Sequence, residues 1–177
     1  TNFSLSNQGE YLALIDKTEG RPIHELAPTF PPQQSDVSFG LPADWRMGQP
    51  LVMQALLEAT PGKANASAAL GRLSKIRFSQ KRGFQSQAFE LSLELEEATA
   101  RIRYTTDGSI PTEEHGNLYE GPWSIAQTTV IRARAFGDGY LPSRTVTRTY
   151  LFPSDIVRQS PDGLPPVGFP YHWGRNR

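Results

Sequence analysis

The chain has 177 residues, with 18 Lys plus Arg against 18 Asp plus Glu, and no Cys. Balanced charge argues against a general polyanion binder, which is strongly basic, and the lack of Cys excludes a disulfide framework, a thiolate zinc site and a Cys nucleophile. Its 15 Gly and 15 Pro exceed the usual combined share of about 12%, which predicts turns and short strands rather than long helices.

A chain of this length holds one large domain or two small ones and needs no metal or disulfide staple. Glu10–Asp16 is a short apolar run bounded by glycines, the right length for a buried strand. Arg21–Leu26 is expected to return antiparallel to it. Ala27–Pro32 cannot sit inside a sheet, because proline has no amide donor. Asp36–Gly40 alternates and predicts a short strand. Pro50–Ala59 suits either a helix or a strand, and Ala64–Leu73, small and polar, reads as a linker.

The pattern then changes. Phe89, Leu91, Leu93 and Leu95 alternate strictly with polar residues and so share one face of a strand. Arg101–Thr105 alternates as well, and Asp107-Gly108 marks a turn. Leu118-Tyr119 and Trp123–Ile125 flank Gly121-Pro122. Thr129–Phe136 is a further strand, which Asp138-Gly139 turns toward Arg144–Phe152. Strands recurring with turn signals from about residue 76 to 152 suit an all-β sandwich. The Pro- and Gly-rich tail 153–177 has no period. No run of about 18 apolar residues exists, so no membrane insertion is expected. Thr1 in place of Met, and a tail that stops without a closing pattern, read as the marks of an internal piece of a longer protein, or of a proteolysed or trimmed chain.

Two stretches resemble known modules. Thr1–Ser6, Gly9–Leu14, Phe30–Gly40 and Thr60–Asn65 resemble the latter part of a bacterial lamin-tail domain. Phe84, Phe89–Leu93, Ile102–Ser109 with Pro111-Thr112, Tyr119–Pro122, Val130–Phe136 and Gly139–Ser143 resemble, in the expected order, the chitobiase/β-hexosaminidase C-terminal-type domain. Both resemblances imply immunoglobulin-like folds. The expected class is therefore all-β: an immunoglobulin/fibronectin-III-like β-sandwich preceded by a partial immunoglobulin-like lamin-tail module. The boundaries read as 1–66 for the partial module, 67–75 for a linker, 76–152 for the sandwich and 153–177 for the tail. The tandem is similar to large secreted bacterial proteins that carry a spore-coat kinase-like domain further on. No kinase activity carries over to these residues.

The search for chemistry is mostly negative. There is no G-x-S-x-G elbow and no H-E-x-x-H motif. His24, His115 and His172 lie in separate segments. Glu96-Glu97 and Glu113-Glu114 sit at expected turns, where solvated charge is the ordinary reading. Asp107 and Asp138 read as turn stabilisers, since a calcium loop needs further oxygen ligands. No metal or cofactor is expected.

Two groups remain as candidate ligand-binding residues. Tyr119, Trp123 and Tyr140 lie near loops, where they either form a small aromatic platform or fill the sandwich end. Tyr104, by contrast, shares the face of Ile102 and is expected in the core. Arg101 and Arg103 must point the same way, as must Arg132 and Arg134. With Arg148, they form a basic stripe if their strands are neighbours. Such a stripe would attract an anionic polymer such as a sulfated or uronic polysaccharide; the alternative is a solvated face paired with acids, or a contact to the adjacent module.

The expectation is therefore a non-catalytic accessory pair of β modules in a secreted or cell-surface bacterial multidomain protein, spacing domains or mediating adhesion. The alternative is a carbohydrate-binding module recognising a polysaccharide. Expected partners are neighbouring domains of the same polypeptide and, in the alternative reading, a polysaccharide, with no nucleic acid.

Overall fold

The structure, a computed structural model, describes residues 4–156. Expectations about 1–3 and about the tail from residue 157, with His172, lie outside the described residues. The described residues divide into two compact units: 4–72 with 139–141, and 73–138 with 142–156. No helix among the described residues is long and apolar enough to cross a membrane.

In the first unit, β1 (Leu12–Ile15) pairs antiparallel with β2 (Pro22–Leu26), with Leu12 opposite Leu26 and Leu14 opposite His24. The turn between them closes on Asp16, whose carboxylate accepts the amides of Thr18 at 2.6 Å and Glu19 at 3.2 Å. The expected pairing is present, but the expected burial is not: Leu14 is 62% exposed and Ile23 65%. Among the described residues the sheet has two strands, and no third strand extends it.

A second small sheet joins β3 (Phe39–Gly40) to β4 (Gln54–Ala55). The expected 36–40 strand shrinks to its last two residues because Asp36 adopts φ 60°. The 50–59 segment takes the strand option. It continues into a bridge between Leu56 and Ala68, flanked by bonds from Leu57 N to Ser67 O and from Ala69 N to Ala55 O. The stretch read as a linker is therefore hydrogen-bonded into this unit rather than free.

In the second unit, a five-stranded sheet runs in the order β10-β9-β12-β13-β6. These are β6 (Gly83–Phe84), β9 (Arg101–Thr105), β10 (Asn117–Leu118), β12 (Thr129–Phe136) and β13 (Val146–Leu151). All pairs are antiparallel except β13 with β6, which is parallel. Further pairs join β5 (Arg77–Phe78) to β8 (Leu93–Glu94) and β7 (Phe89–Leu91) to β11 (Trp123–Ile125). A single turn of helix, α1 (Pro153–Ile156), follows β13.

The predicted 89–95 strand is thus split at Ser92 and changes neighbour there, from β11 to β5. Ser92 makes the junction: its amide donates to Ser79 Oγ at 2.9 Å and its carbonyl accepts the Ser79 amide at 3.0 Å. The alternation survives the break, because Leu91 and Leu93 are both buried. Leu91 and Ile125 from one layer meet Ile131 and Tyr150 from the other, and Phe152 completes the cluster. Phe89 packs edge-on to Tyr150 at 5.0 Å and parallel to Phe152 at 6.4 Å. This unit is an all-β sandwich of the immunoglobulin/fibronectin-III type. The strands β5 and β6 had no signal in the sequence, since two-residue strands are too short to show a period.

Candidate functional site

The outer face of the five-stranded sheet is fixed by register. Arg103 lies opposite Arg134, Arg101 opposite Phe136 and Thr105 opposite Arg132. Because strand side chains alternate, Arg101, Arg103, Arg132 and Arg134 all project from the face opposite the core. Buried Ile102, Ile131, Ala133 and Ala135 occupy the intervening positions. The condition for the predicted stripe, that the two arginine strands be neighbours, is met.

Arg148 does not belong to it. It lies opposite Ile131, on the core side, and its guanidinium sits over the Phe78 ring at 5.8 Å. The sequence pattern misplaced it because its parity relative to β12 depends on the β12–β13 register, which no local signal sets.

Three of the four arginines are tethered to loop carbonyls. Arg103 Nη1 donates to Gly116 O at 2.8 Å, Arg132 Nη1 to Gly108 O at 2.7 Å and Arg134 Nε to Ser143 O at 3.1 Å. Arg134 also lies over Phe136 at 5.6 Å. Arg101 is exposed. The ion pairs found are Arg21–Glu19, Arg77–Glu94 and Arg77–Glu96, so among the described residues no carboxylate lies within 4.0 Å of these four guanidinia. Directly opposed like charges destabilise a sheet, and Arg103 faces Arg134 without an acid between them. Arg132 Nε is buried and has no hydrogen-bond partner among the described residues.

The aromatic candidates are arranged differently. Trp123 stacks on Tyr104 at 4.6 Å with 20° between planes, and Tyr119 meets Trp123 edge-on at 5.8 Å. Tyr119 Oη accepts the Leu93 amide at 3.1 Å. Tyr104 and Trp123 pack against the core cluster, so these rings line the edge of the sandwich interior. Tyr140 is half-buried and belongs to the first unit, whose residues 139–141 run beside 70–72.

The 106–116 loop holds a grouping that the sequence did not announce. Ser109 Oγ donates to Asp107 Oδ1 at 2.6 Å and stands 2.8 Å from His115 Nε2. With the Ser109 proton directed at the carboxylate, His115 Nε2 is the donor in the second bond. A nucleophilic serine needs histidine between acid and serine, accepting the serine proton. Here serine stands in the middle, so the set ties a loop together rather than activating an oxygen. The two Ser109 bonds to Asp107, from hydroxyl and amide, hold that carboxyl below the usual carboxylate range. No group of three or more metal-ligating side chains occurs among the described residues.

Residues 80–147 match the family model of the chitobiase/beta-hexosaminidase C-terminal domain. The matched stretch contains Tyr119, Trp123, Tyr140 and all four outward arginines. No curated protein matches the chain, and no solved structure does.

Proposed function

We propose that the chain is a non-catalytic accessory piece of a secreted or cell-surface bacterial multidomain protein, spacing neighbouring domains or mediating adhesion. The observation that carries this reading is the match of residues 80–147 to a domain known as a C-terminal appendage, on a sandwich whose Asp107–Ser109–His115 set has the wrong order for nucleophilic catalysis. In this reading the first unit is the latter part of a lamin-tail module, and its partners are other domains of the same polypeptide. Two measurements test the proposal. The purified chain is expected to give no turnover of fluorogenic N-acetylglucosaminides or chitobiosides; turnover that survives repurification would overturn the non-catalytic reading. Protease added to intact producing cells is expected to remove an epitope placed in the chain; full protection would overturn the surface placement.

A further inference from the structure

We propose that the outer face of the five-stranded sheet binds an extended acidic polysaccharide, one carrying carboxylate or sulfate groups. The face combines three kinds of group on one surface. The first is the cationic set Arg101, Arg103, Arg132 and Arg134, with no carboxylate among the described residues within salt-bridge reach. The second is hydroxyl: Thr147 opposite Arg132 and Thr149 two residues on, both exposed. The third is aromatic. Phe84 pairs with Leu151 in the parallel β6–β13 ladder, which puts it on the same face as Thr149, and it is 73% exposed.

Each part has a chemical role. The tethers to Gly116, Gly108 and Ser143 use one nitrogen of each guanidinium and leave further N–H groups in a fixed fork, the geometry that recognises planar acid groups. Tethering before binding lowers the ordering cost of association. Threonine hydroxyls bond sugar hydroxyls, and an exposed ring on an edge strand offers a flat apolar surface to a pyranose. From β9 to β6 the face crosses three strand spacings, about 14 Å at roughly 4.8 Å each, which suits an oligomer rather than a monosaccharide. The opposed Arg103 and Arg134 carry a repulsion that an anion between them relieves.

Other polyanions fit less well. Proteins that bind single-stranded nucleic acid line their groove with several stacking rings, whereas this face exposes Phe84 while Tyr104 and Trp123 turn to the core. The chain's zero net charge also differs from the strongly basic balance of general phosphate-backbone binders. Glycan binding here requires only the folded sandwich, so its failure leaves the accessory reading standing.

The test is affinity electrophoresis of the full chain in gels containing polygalacturonate, dextran sulfate or neutral dextran, with oligothymidylate as a separate arm. Retardation is expected in at least one anionic gel, weakening as salt rises, and none in neutral dextran. Which anionic gel retards the chain identifies the acid group. Phe84 and Arg101 are exposed, and among the described residues Arg101 makes no side-chain hydrogen bond. The double variant Phe84→Ala/Arg101→Ser should therefore keep its melting temperature while its apparent affinity falls about tenfold. No retardation in either anionic gel, unchanged affinity in the double variant, or equal affinity for oligothymidylate would each overturn the proposal.

Discussion

Asp107 shows how a single side chain sets local order. Its carboxylate accepts both the hydroxyl and the amide of Ser109, while Gly108 supplies the positive φ of 84° that the turn requires. Hydrogen bonds to the charged form lower its folded pKa below the ordinary 3.8. The stabilisation is therefore complete above pH 3.8 and is lost as the pH falls through the lower folded value. Carboxyl-carbon NMR should find the Asp107 midpoint below 3.8, and Ser109→Ala should move it back up. A midpoint unmoved by that change would show that Ser109 is not the cause. The Asp-Gly turn was legible in the sequence because those residue types have few other uses. The approach of His115 to Ser109 was not, because the five residues between them must fold before the two can meet.

Among the elements, β9 and β10 depend on one close backbone approach. Gly116 has φ +103°, and a Cβ there would fall 2.9 Å from the Tyr104 carbonyl oxygen. Gly116→Ala is thus expected to cost about 1–3 kcal/mol, read as a lower urea midpoint, with looser anchoring of Arg103 through the Gly116 carbonyl. An unchanged midpoint would mean that β10 moves aside freely. The long strands β9, β12 and β13 were legible because five or more alternating residues make a period visible. The break at Ser92 was not, because a strand that changes neighbour keeps its own alternation. The exposure of β1 was misread for the complementary reason: an apolar run reports what could be buried, not whether another layer is present. The arginine face was legible only as two separate pairs of residues; strand order joined them, and register took Arg148 away. Phe84 had no signal at all as part of that face, since its side is set by the parallel pairing with Leu151.

At the scale of the whole molecule, the two units should differ in local stability. Two-stranded sheets are marginal in water without further packing, and β1 and β2 expose much of their apolar surface. Amide exchange is expected to be rapid across Leu12–Leu26 and slowest in the central strand β12, whose residues bond on both sides. Equal protection in the two segments would overturn that contrast. The last strand of the sandwich has a consequence for the chain as it is made. Tyr150 is fully buried and Phe152 nearly so, and the Tyr150 hydroxyl donates to Gln80 O, 70 residues earlier. Synthesis runs from the N-terminus, so a nascent chain ending before Val146 lacks Tyr150 and Phe152 from its own core and the strand with which β6 pairs. The earlier strands must wait, apolar faces open, until β13 has left the ribosome, and the sandwich closes only then.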